Sequence, residues 1–191
     1  MTDRLTFVAV HAHPDDESIS TGGSIARLVA EGHRVVLVVG TSGDHGETPE
    51  GLAAGETLAD RRRVETERSC AVLGIHRLVW LGYADSGMTG WEQNSHPDAF
   101  MNADLDEAAG RLVAVLDEEK ADVLVGYDWH GGYGHPDHIQ THRVAMRAAE
   151  LASWKIQKIY WNIMPKSVVA KGMAAMKEQG SDFFGTDNID D

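Results

Sequence analysis

Residues that can bind a metal or carry a proton are concentrated in two short stretches of this 191-residue chain. The first is Ala12-His13-Pro14-Asp15-Asp16-Glu17, and the second is Gly134-His135-Pro136-Asp137-His138. In each stretch a histidine precedes a proline, and another ligand-capable residue follows that histidine three positions later. Because proline biases the preceding residue towards extended backbone, each histidine is expected at a strand or loop end, with its partner in the following turn. The two stretches can therefore converge on one point.

The residue types favour a catalytic metal. Two imidazoles and one carboxylate with an open coordination position are typical of catalytic zinc, and the same set also suits a non-haem ferrous site. We predict that His13, Asp16 and His138 are the ligands of a Zn²⁺ ion, with Fe²⁺ as the alternative metal.

The remaining groups in the two stretches are predicted to handle protons. Asp15 is next to a ligand and is left free as the general base for a water that the metal activates. His135 would polarise or protonate the reacting carbonyl, with Asp137 available to fix its tautomer. Metal, base and acid together predict hydrolysis of an amide. Glu17 is interpreted as a helix-start or supporting residue rather than a fourth ligand.

Alternating strands and helices must position these stretches. Apolar runs predict strands at 5–10, 34–41, 77–81, 121–127 and 156–163, with helices at 20–30, 56–73, 103–120, 137–152 and 166–177. A continuous apolar run such as Val35 to Val39 suits a strand that is covered on both faces. We therefore predict an α/β, Rossmann-like three-layer fold with a mostly parallel sheet flanked by helices, in one domain spanning residues 1–191. The two stretches follow the first and fourth strands, which places them at the same sheet edge.

Charge and composition narrow the partners. The formal net charge is −13, from 17 basic and 30 acidic residues, which argues against nucleic acid and anionic membranes because both reward a basic face. Cys70 is the only cysteine, so a disulfide framework and a thiolate cluster are excluded. There is no signal-peptide pattern, and no apolar run approaches the roughly 20 residues of a membrane span, so we expect a cytoplasmic protein. The sequence leaves a homo-oligomer open.

At these residues the chain resembles the PIG-L (LmbE-like) family of metal-dependent N-acetylglucosaminyl deacetylases, from Phe7 to about Met164. Within the family it is similar to the mycothiol-pathway branch. The shared segments are Gly43-Asp44-His45-Gly46-Glu47, Leu81-Gly82-Tyr83-Ala84-Asp85-Ser86-Gly87-Met88, Tyr127-Asp128 and Gly131-Gly132-Tyr133. The resemblance implies removal of the N-acetyl group from a small amino-sugar substrate, such as N-acetylglucosaminyl-inositol. The alternative in the same branch is an amidase that cleaves a larger amide, such as a mycothiol S-conjugate.

The resemblance also implies four substrate-binding residues. Arg62 and Asp85 would bond to sugar or inositol hydroxyls, Tyr133 would act as a mobile lid or oxyanion contact, and Met88 would line the pocket. From the residues alone, Arg62 is a helix-surface charge within three consecutive arginines, and Met88 is a packing residue. Members of that branch are considerably longer, so we expect either a compact member or a chain that lacks a C-terminal part.

Two other function classes could use the same residues. A ferrous oxygenase would need the three ligands but has no use for Asp15. A saccharide-binding module without catalysis would need neither the metal nor the base. Among the remaining histidines, His11 is interpreted as a hydrogen-bonded wall residue, and His142, one helical turn after His138, as a supporting or solvent-facing residue.

Overall fold

A computed structural model describes residues 4–163 and 165–178 of the chain. Five strands form one sheet in the order β3-β2-β1-β4-β5, and every neighbouring pair is parallel. The strands are β1 (Thr6–His11), β2 (Arg34–Thr41), β3 (Arg77–Tyr83), β4 (Val123–Tyr127) and β5 (Lys158–Asn162). The predicted Rossmann-like fold is confirmed, and the sheet is parallel throughout.

Six helices connect or follow the strands in the described part of the chain. They are α1 (Gly22–Ala30), α2 (Leu58–Leu73), α3 (Leu105–Glu119), the single turn α4 (Gly131–Gly134), α5 (Pro136–Leu151) and α6 (Lys166–Glu178). A π-helical turn, Glu17–Thr21, leads into α1. α2 stops where the sequence predicts, because Gly74 adopts a left-handed conformation with φ 75° and its N–H bonds to Cys70 O. Within residues 4–163 and 165–178, each helix is too short or too polar to cross a bilayer.

The sheet has a hydrophobic core on each face because successive side chains of a strand point to opposite sides. Val8 and Val10 of β1 lie in the core that contains Leu112 of α3 and further residues of α5. Ala9, between them, lies in the second core with Cys70 of α2 and residues of α1. This double coverage explains the continuous apolar runs in the strands. Both cores share one sheet, and the single domain over residues 1–191 stays a prediction.

The edge of the sheet opposite the predicted site is held by a buried carboxylate. Glu119, at the end of α3, has only 7% of its side chain exposed. It accepts hydrogen bonds from Arg34 Nε at 2.6 Å and from Arg77 Nη1 at 2.8 Å. These bonds lower the pKa of Glu119, although burial opposes them, and they tie α3 to the starts of β2 and β3.

The replacement Glu119→Gln should lower the free energy of unfolding by about 1–3 kcal/mol at neutral pH, because it removes the charge that both arginines need. The folded-state pKa lies below the unfolded value of about 4.3. The stabilisation is therefore complete above that value and disappears as the pH falls through the folded-state pKa. Urea unfolding at pH 7 and below pH 4 measures both effects. Glu118→Gln is the matched control, since Glu118 also contacts Arg77 but is mostly exposed; equal losses in the two variants would contradict the prediction.

Candidate metal centre

The two sequence stretches meet at the carboxyl edge of the sheet. β1 ends at His11 and β4 ends at Tyr127, and the two strands are parallel neighbours. The loops that follow them therefore leave the sheet side by side. The ring centroid of His13 lies 4.5 Å from that of His135 and 5.2 Å from that of His138. The fold thus brings the chemistry-bearing residues together, as their positions in the sequence predict.

The carboxylate of Asp16 lies between the two predicted histidine ligands. Its Oδ2 atom is 3.5 Å from His13 Nδ1 and 3.4 Å from His138 Nε2. The same oxygen accepts the backbone N–H of His13 at 2.9 Å, which fixes the direction of the carboxylate. Burial opposes the charge of Asp16, but interaction with His13 and His138 in their protonated form outweighs it and holds the pKa of Asp16 well below the ordinary value; a metal ion would take the place of those protons. An ionised carboxylate is the form that a metal requires.

His138 carries a lone pair that fits a cation. Its Nδ1 atom lies 3.1 Å from Gly131 O, and because a carbonyl oxygen only accepts, Nδ1 bears the proton. Nε2 is buried and finds no hydrogen-bond partner among the described residues. A buried acceptor without a partner is costly, and a divalent cation between two imidazoles and a carboxylate would satisfy it. The three predicted residues therefore fit zinc, and their assignment as ligands stays a prediction.

His13 is held on the side opposite Asp16 by two further carboxylates. Its Nε2 atom is 3.2 Å from Asp137 Oδ2 and 3.6 Å from Asp85 Oδ1. Because a carboxylate accepts, Nε2 donates, and the lone pair of Nδ1 is left for the side where Asp16 lies. Carboxylates that bind the far nitrogen of a histidine commonly orient it for a metal.

The carboxylate of Asp137 contacts residues other than His135, and the predicted role of Asp137 in fixing the tautomer of His135 stays a prediction. Besides contacting His13, the carboxylate accepts the backbone N–H of Ser86 at 2.9 Å and a short hydrogen bond from the Ser86 hydroxyl. Only the backbone N–H of Asp137 reaches His135, donating to Nδ1 at 3.1 Å. The reason is that His135 is the N-cap of α5, so its side chain is used to satisfy an amide of the first turn. The carboxylate of Asp137 therefore contacts a predicted ligand, and its backbone N–H contacts the predicted acid.

His135 presents its other nitrogen to the cluster. Because Nδ1 accepts the Asp137 N–H, the proton of the neutral ring is on Nε2. Burial and the neighbouring His13 and His138 lower the pKa of His135 to about 4. Candidate ligand atoms of these three histidines lie within 4.8 Å of one another, so distance alone does not separate His135 from the ligands. Its predicted role at the reacting carbonyl stays a prediction.

Asp15 stands apart from the cluster. Its backbone has φ +99°, which is rare for a residue other than glycine, and 52% of its side chain is exposed. Partial burial and the adjacent charge of Asp16 raise the pKa of Asp15 to about 6, while Arg62 opposes the increase. The Arg62 Nη2 atom lies 3.4 Å from Asp15 Oδ2. Asp15 is therefore next to the predicted ligands without being one of them.

The three consecutive arginines of α2 have different partners. Arg61 Nε donates to Glu56 Oε1 at 2.8 Å. The guanidinium carbon of Arg63 lies 5.1 Å from the ring centroid of Trp80. Arg62 lies between them and faces Asp15, which makes it the arginine at the candidate site.

The other predicted substrate residues lie around the cluster. The rings of Tyr133 and His138 lie edge to face, with centroids 5.0 Å apart, and the Tyr133 side chain is partly exposed. Asp85 is buried and accepts backbone N–H groups from Gly87 at 2.8 Å and His45 at 3.1 Å. It lines a cavity of about 600 Å³. Met88 lies partly exposed in the loop after β3. Substrate contacts by all four residues, Arg62 included, stay predictions.

Tyr127 is a site component that the sequence analysis did not assign. Its ring stacks on that of His138, with centroids 4.3 Å apart, and its hydroxyl accepts the N–H of Ala12 at 3.2 Å. That hydroxyl is also 3.3 Å from Nδ1 of His11, whose Nε2 is 2.9 Å from Thr21 Oγ1. The interpretation of His11 as a hydrogen-bonded wall residue is confirmed. The family segment Tyr127-Asp128 was the only feature of the sequence that pointed to Tyr127. It does not indicate that the Tyr127 hydroxyl contacts His11, which is 116 residues away in the chain.

His142 and Ser86 complete the surroundings. His142 Nδ1 lies 3.0 Å from Tyr127 O, which confirms a supporting role for this histidine. Ser86, which donates to Asp137, was quoted only as part of a segment shared with the family, and nothing local in the sequence indicates its partner.

The fold and this cluster define an α/β protein with a candidate metal centre at the carboxyl edge of a parallel sheet. Residues 8–149 match the sequence profile of the PIG-L family, described as GlcNAc-PI de-N-acetylase. The chain belongs to the PIG-L family.

Proteins named as deacetylases are similar to this chain in sequence or in structure. The 1D-myo-inositol 2-acetamido-2-deoxy-alpha-D-glucopyranoside deacetylase 1 of Catenulispora acidiphila is 49% identical over 208 residues, covering 97% of this chain and 64% of the relative. The deacetylase of the same name, without the final numeral, from Streptomyces avermitilis is 48% identical over 192 residues, covering 90% and 65%. This chain thus spans about two thirds of the length of these relatives. The N,N'-diacetylchitobiose deacetylase structure from Pyrococcus horikoshii has a TM-score of 0.63 and 31% identity, covering 78% of this chain and 51% of that one.

The variant His138→Ala should bind zinc more weakly than wild type, because it removes the Nε2 lone pair that would bind the metal. The loss should exceed the roughly 10–100-fold that is typical when a residue supporting a ligand is replaced. Competition titration with a chromophoric chelator, together with the metal content of the purified protein, measures the change. His142→Ala, one helical turn away on α5, is the comparison variant, and it should lose less zinc affinity because His142 contacts the backbone of Tyr127 rather than the cluster. Equal zinc affinity in wild type and His138→Ala would show that this nitrogen is not a ligand.

Proposed function

We propose that this chain is a zinc-dependent hydrolase that removes the N-acetyl group from an N-acetylglucosamine conjugate, such as N-acetylglucosaminyl-inositol. The observation that carries the proposal is the division between His13, Asp16 and His138, which lie together, and Asp15, which stands beside them with its carboxylate turned outward. Support also comes from the deacetylase names of relatives that are 48–49% identical. Fe²⁺ is the alternative metal for the same ligands.

The residues around the proposed ligands suit amide hydrolysis. Zinc, when bound, lowers the pKa of water and polarises a carbonyl oxygen. Asp15 takes a proton as water adds to the carbonyl carbon. The Nε2–H of His135 donates to the developing oxyanion, which a neutral imidazole with its proton on that nitrogen can do. The C–N bond then breaks, the proton held by Asp15 goes to the amine, and the products are acetate and a free amino sugar.

The carboxylate of Asp15 supports this function over the two other classes. An oxygenase would use the ligands but would leave a carboxylate with a pKa of about 6 beside them without a task. A binding module would need neither that carboxylate nor the lone pair of His138. An amidase that acts on a larger acyl group would use the same residues, so the size of the acyl group accepted is the property that distinguishes it.

Asp15→Asn should reduce kcat for release of acetate from N-acetylglucosaminyl-inositol by about 10²–10⁴-fold, because the amide cannot accept the proton. Asparagine is preferred to alanine here because it tolerates a positive φ. Zinc content should stay at the wild-type level, since Asp15 is not a proposed ligand. The assay follows free amine with time, with a chelated sample of wild type alongside.

Asp98→Asn is the control for loss of one negative charge, since Asp98 is an exposed residue of the loop after β3. Full activity in Asp15→Asn would refute the mechanism. Turnover of a larger amide in preference to the N-acetyl substrate would assign the chain to the amidase branch.

The neighbouring arginines give a second test. Arg62→Ala should reduce kcat/KM by about 10–100-fold, because a charged hydrogen-bond donor next to Asp15 is lost. Arg63→Ala should stay within about two-fold of wild type, since the guanidinium of Arg63 lies over the ring of the partly buried Trp80 and such a contact has a small energy. Steady-state kinetics of both variants measure the contrast. Similar losses of kcat/KM in both variants would show that the contact of Arg62 with Asp15 has no specific role in activity.

A further inference from the structure

Glu17 is a buried carboxylate without an ion-pair partner in the described part of the chain. Only 1% of the residue is exposed. Its Oε1 atom accepts hydrogen bonds from the hydroxyls of Ser18 at 2.8 Å and Ser69 at 2.7 Å. Its Oε2 atom accepts the backbone N–H of Asp15 at 3.1 Å. Burial of a carboxylate is costly, so these donors must hold it in place, and its direction is fixed by them.

The residue that Glu17 binds has an unusual backbone. Asp15 and Lys120 are the non-glycine residues with positive φ among those described, and Lys120 at 51° has the ordinary left-handed conformation of a helix end. Asp15, at 99°, lies outside that region. Such a conformation is strained and persists only where the surroundings enforce it.

Asp15 is fixed by both of its peptide groups. Its carbonyl oxygen accepts the N–H groups of Ser18 at 2.9 Å and Ile19 at 3.0 Å, which begin the following helical turn. Its own N–H is bound by Glu17, and Glu17 is in turn anchored to α2 by Ser69. The backbone of Asp15 therefore has one conformation, in which its carboxylate faces Arg62.

We propose that Glu17 is a positioning residue whose carboxylate, anchored by Ser69, holds the N–H of Asp15 and so keeps the Asp15 side chain directed towards substrate rather than into the metal cluster. The catalytic consequence rests on the proposed function, whereas the hydrogen bond itself does not. Glu17→Ala removes the acceptor. Glu17→Gln retains one acceptor oxygen for Asp15, and the serine hydroxyls can rotate to accept from its amide, so it should rescue part of the effect.

The first arm of the test does not depend on activity. Amide hydrogen exchange, measured by NMR in wild type, should show a protected N–H at Asp15. Protection should fall at least about tenfold in Glu17→Ala, and less in Glu17→Gln and Ser69→Ala, while amides of α3 keep their wild-type protection. Should Glu17→Ala fail to fold, the other two variants still report the same hydrogen bond. Unprotected Asp15 in wild type, or unchanged protection in folded variants, would overturn the proposal.

The second arm separates positioning from a general structural role. Glu17→Ala should lower kcat about 10–100-fold, the scale of a misplaced catalytic group, with KM and zinc content within about threefold of wild type. In the Asp15→Asn background the same change should have little further effect, because the group to be positioned is already absent. An equal loss in both backgrounds would overturn the proposal.

Glu67→Ala is the control, since Glu67 is an exposed carboxylate on α2, the helix that also carries Ser69. It should leave both kcat and the Asp15 amide unchanged. An inactive wild type would refute the proposed function alone, and the exchange measurement would still decide the role of Glu17.

Discussion

The parallel pairing of β1 with β4 brings together side chains that are 124 residues apart in sequence, such as His13 and Asp137. These two strands lie where the strand order reverses: β2 and β3 are added on one side of β1, and β4 and β5 are added on its other side. Loops diverge at such a point and leave a crevice at the carboxyl edge. Because both strands are covered on each face, a change of register would expose apolar side chains, so the crevice has one arrangement.

The carboxylates at this edge are distinguished by what their oxygens contact. Asp16 lies between two imidazole nitrogens, while Asp137 and Asp85 lie on the far nitrogen of His13. Asp137 in turn is held by Ser86, so its position does not depend on the histidine alone. The far-side carboxylates contact Nε2 of His13, and the near-side one stays ionised. A cluster with a high density of acidic groups thereby becomes an ordered donor set for a cation.

Patterns of local origin were predictable from the sequence, and contacts over long distances were not. The apolar run from Val35 to Val39 indicates a buried strand because a strand covered on both faces has no polar side. Gly74 indicates a helix end because glycine adopts the left-handed φ of a helix end without steric cost. The convergence of His13 with His138 follows from parallel topology. By contrast, the partner of the Asp137 carboxylate depends on which way the first turn of α5 faces, and the sequence pattern carries no such direction.

Asp15 and Asp16 illustrate why residue type and spacing are not sufficient to assign a role. They are adjacent and chemically identical, yet one faces two histidines and the other faces Arg62 and solvent. Part of the difference arises from the φ of +99° at Asp15. The other part arises from the space that Gly43 leaves for Arg62, since a Cβ on Gly43 would overlap Arg62 Nη1. Gly43 allows the Arg62 guanidinium to approach the Asp15 carboxylate, and the strained backbone of Asp15 directs that carboxylate towards Arg62. The proposed general base is therefore specified by conformation, since the two aspartates have the same functional group and differ in the direction in which the backbone presents it.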